Sequence, residues 1–200
     1  MQNRPVIVVH GGAGAWEEDL NRLRAGKISC EEAAKAGQTV LLDGGSALDA
    51  AEVAVRVLED SPALDAGRGS YLNARGEIEM DALVMDGRTL DIGAIAAVKR
   101  IRYPISLARE LLDVDNTNFL VGTGAEAFAD SIGFPRCDHS DLLADPAIWN
   151  SDNNGQTNDT VGAVALDAAG NLAAATSTGG SRAKLPGRVG DSPLVGSGAY

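Results

Sequence analysis

The chain has 200 residues, and its hydrophobic content of 44% is enough to bury the core of one domain. Its 28 acidic and 17 basic residues give a formal charge of −11, which would repel the phosphates of a nucleic acid. No apolar stretch approaches the roughly 20 residues of a membrane span, and Cys30 and Cys137 lie far apart without a CxxC motif. We therefore expect a cytoplasmic protein that binds neither nucleic acid nor membrane.

The first half of the chain is predicted to form a strand, two helices and a hairpin. Ser29 and Glu32 match a capping box, so we expect the first helix to begin there and to end near Asp43. Apolar residues alternate on both sides of Asp86 and Gly87, which predicts the hairpin. The predicted elements are a strand at 5–9, a helix at 29–43, a helix capped by Ser46 and ended by Pro62, and strands at 78–84 and 90–98.

The second half contains another predicted hairpin, preceded by a polar segment. Residues 151–159 include no large apolar side chain, which predicts an exposed and mobile loop. Turn residues at Asp167–Asn171 join two apolar runs, and the first of these runs begins at Thr160. The predicted elements are helices at 106–112 and 125–132, and strands at 119–122, 160–166 and 172–176. Pattern alone indicates a mixed α+β chain.

The second hairpin brings two threonines together. If its turn is centred on Ala169, Thr160 faces Thr178, with their Cβ atoms about 4.5–5.5 Å apart. A threonine hydroxyl needs a base to act as a nucleophile. Cleavage between Asp159 and Thr160 would free an α-amine with a pKa of about 8, which can accept the hydroxyl proton. Taken alone, each threonine is equally compatible with an ordinary strand or turn residue.

The loop that follows the hairpin carries one cation and one anion. Arg188 offers a planar fork suited to a carboxylate, and Asp191 can receive an ammonium group. Together they match the two charged groups of a free α-amino acid. The alternative is a structural salt bridge within a loop rich in glycine and proline.

Six segments carry a resemblance to a known family. Those from residue 160 onward resemble the plant-type asparaginase (isoaspartyl peptidase) family of N-terminal-nucleophile hydrolases, and the earlier ones are similar to other motifs of that family. The segments are His10–Gly14, Asp65–Ser70, Glu79–Gly87, Thr160–Asp167, Ala174–Gly180 and Lys184–Pro193. The likeness covers essentially the whole chain, in the order of the family.

The resemblance implies a four-layer αββα sandwich in which Thr160 begins a central strand. It implies that autoproteolysis between Asp159 and Thr160 frees Thr160 as the nucleophile, supported by the hydroxyl of Thr178. Arg188 is expected to hold the α-carboxylate of the substrate and Asp191 its α-amine. The backbone of Val189 and Gly190 would shape the same loop.

The implied reaction is hydrolysis of L-asparagine and β-aspartyl (isoaspartyl) dipeptides, with release of L-aspartate. No cofactor is expected for catalysis. A structural sodium ion is implied, held by main-chain oxygens of Leu58, Glu59, Ser61, Leu64, Ala66 and Arg68. Oxygen-only coordination suits such a hard cation.

The chain departs from the family pattern at two places. Asp159 precedes the nucleophile where glycine is frequent, and the chain stops at Tyr200 although the family continues. We therefore expect one incomplete hydrolase domain, 1–200, in which 1–159 form the α part, 151–159 its mobile linker, and 160–200 the start of the β part. Oxyanion-stabilising groups are expected beyond Tyr200, and the cleaved halves are expected to form a dimer.

Two alternative functions remain at this point. A glycosylasparaginase shares the loop around Arg188 and Asp191, although the opening motif His10–Gly14 argues against it. A catalytically inactive amino-acid-binding fragment would keep the two anchors and cut nothing, because the C-terminal part of the family pattern is absent.

Overall fold

A computed structural model describes residues 3–14, 19–144 and 158–200, and only the backbone of Asn158 and Asp159. Six strands form one sheet, flanked by helices, so the α+β prediction is confirmed. The strands are β1 (Val6–His10), β2 (Met80–Asp86), β3 (Asp91–Val98), β4 (Phe119–Val121), β5 (Asn158–Leu166) and β6 (Leu172–Ser181). The helices are α1 (Leu20–Leu42), α2 (Ala47–Asp60), α3 (Pro104–Glu110), α4 (Gly122–Ser131) and α5 (His139–Leu142).

The sheet places the predicted second hairpin in its interior. The strand order is β1-β5-β6-β2-β3-β4, so β5 and β6 have a neighbour on both sides. All pairs are antiparallel except β3 with β4. Both predicted hairpins, β2–β3 and β5–β6, are therefore confirmed, and the strand that contains Thr160 is held by hydrogen bonds along both edges.

One face of the sheet is covered by α1, α2 and α3. A row of small and β-branched side chains crosses four strands on this face, because Val9 pairs with Ala163, Ala163 with Ala175, and Ala175 with Val84. All of them belong to or pack against the main hydrophobic core. Short side chains let the helices approach the sheet closely, and a Cβ atom on Gly37 of α1 would lie 2.9 Å from the carbonyl oxygen of Ala50 in α2.

The predicted start of the first helix is wrong. Helix α1 begins at Leu20, and the Oδ1 atom of Asp19 accepts hydrogen bonds from the backbone N–H groups of Asn21 and Arg22. Ser29 lies inside the helix, where its hydroxyl donates to the carbonyl oxygen of Ala25. A serine followed by a glutamate three residues later can also occur within a helix, so the pattern does not by itself identify a first turn.

Other predicted bounds differ less. Ser46 caps α2 as predicted, because its hydroxyl accepts a hydrogen bond from the N–H of Asp49 at 3.1 Å. Strand β5 begins at Asn158, so the last two residues of the predicted loop 151–159 are strand, and 151–157 lie outside the described residues. Among the residues that the structure describes, no helix is long and apolar enough to cross a membrane.

The opposite face of the sheet is partly open. Val8 pairs with Val164, Val164 with Ala174, and Ala174 with Met85, so these four side chains form a second row. Val8 is 66% exposed and Val164 is 52% exposed. Toward β2 the same face is covered, since Met85 is buried in a small cluster against which Ala199 packs.

Candidate active site

A bulge in the β5–β6 pair lies at Thr160. The predicted register holds from Val161, which pairs with Ser177, to the turn. Asp159, however, pairs with Gly180, so Thr178 and Gly179 of β6 lie opposite Thr160 alone. A bulge changes the direction of local side chains and interrupts the hydrogen-bond ladder. The step between Asp159 and Thr160 is therefore the irregular point of an otherwise regular central hairpin.

The hydroxyl of Thr160 contacts a second hydroxyl that the motifs do not single out. Thr160 is partly buried, and its Oγ1 lies 2.8 Å from the Oγ of Ser192. Ser192 is 1% exposed, and its carbonyl oxygen accepts a hydrogen bond from the Oγ1 of Thr176 at 2.7 Å. Ser192 follows Asp191 directly in the downstream motif, which is the signal that could have drawn attention to it.

Thr178 was predicted to lie beside Thr160, and the structure places it in the bulge opposite that residue. It is 2% exposed, and its Oγ1 accepts a hydrogen bond from the backbone N–H of Gly180 at 2.9 Å. Gly180 has a positive φ of 75°, a conformation that favours glycine. The hydroxyl of Thr178 thus stabilises the turn of the backbone that forms the bulge.

A cavity of about 550 Å³ opens at Thr160 on the less covered face of the sheet. Asp191 and Ser192 line it at the polar end, and His10 of β1 lines it from the neighbouring strand. The segment Gly196–Tyr200 forms another wall. The nucleophile candidate and the predicted amine-binding carboxylate therefore share one cavity, which has room for a small amino-acid derivative.

Arg188 does not line the cavity that contains Thr160 and Asp191. Its side chain is exposed, and a Cβ atom on Gly180 would be 3.3 Å from its Nη1 atom. A Cβ atom on Gly190 would be 2.9 Å from the same atom. The guanidinium therefore lies close to Gly180, which pairs with Asp159 in the β5–β6 ladder. Val189 is exposed in the same loop.

Buried ionisable groups lie beneath this loop. The Nζ of Lys184 donates to the carbonyl oxygen of Glu79 at 2.7 Å, and the N–H of Gly187 donates to the Oε2 of Glu79 at 2.9 Å. Burial raises the pKa of the Asp81 carboxyl, although N–H groups of Ala97 and Gly190 oppose the shift. The sequence motif at Glu79–Gly87 contained these carboxyls but did not indicate that they anchor the loop.

Burial also shifts the pKa of Lys184. It lowers the pKa of the ammonium, while the carboxyls of Asp81, Asp65 and Glu79 act in the opposite direction. Lys184 is 5% exposed. The loop that carries Arg188 and Asp191 therefore rests on a compact group of buried ionisable side chains.

Glu59 connects the end of α2 to the strand next to the site. Its Oε1 accepts hydrogen bonds from the Ser177 hydroxyl at 2.6 Å and from the N–H of Ile105 at 2.9 Å. The side chain is completely buried, and this burial raises the pKa of Glu59 to about 8. Ser177 immediately precedes Thr178, so the contact fixes β6 where the bulge begins.

The predicted sodium-binding segment, 58–68, folds back on itself. The carbonyl oxygens of Leu58 and Glu59 accept hydrogen bonds from the N–H groups of Ser61 and Arg68, at 3.2 and 2.7 Å. A Cβ atom on Gly69 would lie 2.5 Å from the carbonyl oxygen of Leu64 and 3.0 Å from that of Pro62. Carbonyl oxygens of this segment are thus crowded together, and each has a second lone pair.

The chain is similar in sequence to several known proteins. The sequence profile of a family described as asparaginase matches residues 3–154 and 144–200. An isoaspartyl peptidase/L-asparaginase of Danio rerio is 47% identical over an alignment of 207 positions, which covers 98% of this chain and 66% of that protein. The Homo sapiens protein of the same name is 44% identical, covering 98% of this chain and 67% of its own length.

A bacterial relative is equally similar. An isoaspartyl peptidase of Salmonella typhimurium is 44% identical over an alignment of 223 positions, which covers 99% of this chain and 70% of that protein. The chain therefore spans about two thirds of the length of the curated relatives it matches.

Proposed function

Because this chain belongs to the asparaginase family, we propose that it is an amidohydrolase whose nucleophile is Thr160. The observation that carries the proposal is the position of the Thr160 hydroxyl, which lies at a bulge in a central hairpin and lines a cavity together with Asp191. L-Asparagine and β-aspartyl dipeptides are the proposed substrates, and L-aspartate is the product.

Self-cleavage would activate the chain. In this step the Oγ1 of Thr160 attacks the carbonyl carbon of Asp159, the C–N bond breaks, and the hydroxyl proton ends on the nitrogen of Thr160. Water then hydrolyses the ester, which leaves Thr160 with a free α-amine. That amine is the base that the hydroxyl needs, since its ordinary pKa is about 8.

Hydrolysis of the substrate repeats the chemistry on an external amide. Thr160 attacks the side-chain amide carbonyl of the aspartyl group, and ammonia or an amino acid leaves with the proton taken from the hydroxyl. Water releases aspartate from the resulting ester. Arg188 would hold the α-carboxylate of the substrate and Asp191 its ammonium group, while Val189 and Gly190 shape the loop. Thr178 would keep the bulge in place.

Release of aspartate from L-asparagine and from β-aspartyl dipeptides tests the proposal. A suitable protein is a chimera that continues this chain after Tyr200 with the remaining residues of the Danio rerio relative. Arg188→Ala is expected to raise KM more than it lowers kcat, because Arg188 binds a group distant from the reacting carbonyl.

The same assay separates the two alternatives. Activity on glycosylated asparagine without activity on β-aspartyl dipeptides would identify a glycosylasparaginase. Calorimetric binding of aspartate, with no hydrolysis of any of these substrates by the chimera or by the 200-residue chain, would instead identify an amino-acid-binding fragment.

We also propose that a second sheet covers the open face, which would complete a four-layer αββα sandwich. Support comes from the exposed pair Val8 and Val164, since large apolar side chains on a sheet face normally pack against another layer. Residues 1–159 and 160–200 would then belong to the α and β parts of a cleaved protein, and the cleaved halves would form a dimer.

A structural sodium ion is the proposed occupant of the segment at 58–68. The crowded carbonyl oxygens near Gly69, and the second lone pairs of the Leu58 and Glu59 carbonyls, suit a hard monovalent cation. Bound sodium would stabilise this turn, so replacing sodium by choline at constant ionic strength should lower the melting temperature. An unchanged melting temperature would count against the site.

Cys30 and Cys137 are free thiols, which suits the proposed cytoplasmic location.

A further inference from the structure

We infer that Ser192 is a further catalytic residue, whose hydroxyl orients the Thr160 hydroxyl for attack on the carbonyl carbon of Asp159. The inference rests on the proposed function, because it assumes that Thr160 is the nucleophile. Its direct basis is the distance of 2.8 Å between the two hydroxyl oxygens. This contact involves the atom that forms the new bond.

Ser192 is held in place by its surroundings. It is 1% exposed, and the hydrogen bond from Thr176 Oγ1 to its carbonyl oxygen fixes its backbone on β6. Thr176 lies two residues before Thr178, so the same strand carries both the bulge and the support for Ser192. A rigid hydrogen-bond partner restricts the rotation of the Thr160 hydroxyl, which otherwise has several orientations open to it.

The chemistry needs only a hydrogen bond from Ser192. In the proposed step, the Thr160 O–H is the donor and the Ser192 Oγ is the acceptor of this hydrogen bond. Such a bond increases the electron density on the Thr160 oxygen and leaves one of its lone pairs free to attack. The ester C–O bond forms, the Asp159–Thr160 C–N bond breaks, and the proton ends on the nitrogen of Thr160. Ser192 is unchanged at the end of the step.

Ser192 also joins the nucleophile to the substrate loop. Asp191, the proposed amine-binding residue, precedes it and lines the same cavity as Thr160. Movement of the loop therefore displaces the hydrogen-bond partner of the nucleophile. We expect the contact to serve substrate hydrolysis as well as self-cleavage.

Self-cleavage of the 200-residue chain, measured by intact mass over several days, tests the inference. Ser192→Ala and the nearly isosteric Ser192→Cys should both slow cleavage by about tenfold or more, since both lose a good oxygen acceptor. Ser192→Thr keeps the hydroxyl and should cleave at close to the original rate. Ser140→Ala is the control, because Ser140 is exposed in α5 and does not line the cavity.

The possible outcomes are distinct. If Ser192→Ala or Ser192→Cys cleaved as fast as the unaltered chain, the role of Ser192 would be overturned while the proposed function stood. If the unaltered chain stayed whole, the proposed self-cleavage and this inference would both fail. Slow cleavage by Ser192→Cys with a normal melting temperature would show that the loss is not one of folding.

Discussion

At the scale of single residues, the site is organised by buried polar groups rather than by exposed ones. Asp81 is completely buried, and one of its carboxylate oxygens accepts the N–H of Ala97 at 2.8 Å. Lys184, also buried, is close enough to oppose the rise in the pKa of Asp81. Such groups are costly to desolvate, so their presence beneath the loop of Arg188 indicates a role in positioning that loop.

The raised pKa of Asp81 predicts a pH dependence of stability. Above the ordinary value of 3.8, the folded protein keeps a proton on Asp81 that the unfolded chain has lost, so stability falls as the pH rises through the raised pKa. Asp81→Asn cannot ionise and should lose less stability than the original protein as the pH rises above the ordinary carboxyl pKa. Urea unfolding at several pH values measures this difference.

A matched control is Asp115→Asn, because Asp115 is exposed. Its pH dependence should parallel that of the original protein. If the stability of Asp81→Asn also varied with pH in parallel with that of the original protein, the raised pKa of Asp81 would be contradicted.

At the scale of elements, close packing decides what the helices tolerate. A Cβ atom on Gly37 of α1 would clash with the Cδ1 of Ile7 and lie 2.9 Å from the carbonyl oxygen of Ala50. Gly124 of α4 has no heavy atom within 4 Å of such a position. Both glycines lie within helices, so substitutions at the two positions distinguish the effect of packing from that of helix propensity.

Alanine substitutions at these two positions should act in opposite directions. Gly37→Ala overpacks the contact between α1, α2 and β1 and should destabilise the protein by about 1–3 kcal/mol. Gly124→Ala should stabilise it by up to about 1 kcal/mol, because alanine is the better helix former. Free energies of unfolding from urea titration measure both changes, and a stabilising Gly37→Ala would refute the close approach.

Sequence patterns predict regular elements better than they predict the loop at the site. Alternation around Asp167–Asn171 is regular, so it indicates the hairpin and places Thr178 within one residue of its position opposite Thr160. Ser192 follows a loop in which Ala183 and Gly187 have positive φ angles of 53° and 78°. The sequence of this loop has no helical or strand periodicity. The contact between Ser192 and Thr160 depends on tertiary packing, so periodicity could not predict it.

At the scale of the whole molecule, the two faces of the sheet differ. The helix face buries the row that contains Ala163 and Ala175, whereas Val8 and Val164 of the other row are more than half exposed. The chain spans 66% of the Danio rerio relative. The proposed second sheet would bury the exposed pair, and a buried valine is worth about 1.5–3 kcal/mol.

Substituting this pair tests the proposed layer. Val8→Thr with Val164→Thr should change the stability of the 200-residue chain by no more than about 0.5 kcal/mol, because both side chains are largely in water. In the chimera with the Danio rerio segment, the same two substitutions should lower the free energy of unfolding several-fold more than in the 200-residue chain. Urea unfolding measures both proteins, and an equally small cost in the two would argue against a covering sheet.

The position of Thr160 in a central hairpin, at a bulge and beside a cavity, makes its identity as a self-released nucleophile the central claim. Intact mass and N-terminal sequencing of the purified 200-residue chain test it most directly. The chain is expected to yield a fragment that begins at Thr160, and Thr160→Ser should still cleave while Thr160→Ala stays whole. An unaltered chain that remains whole, or a Thr160→Ala variant that is cut at the same bond, would contradict the claim.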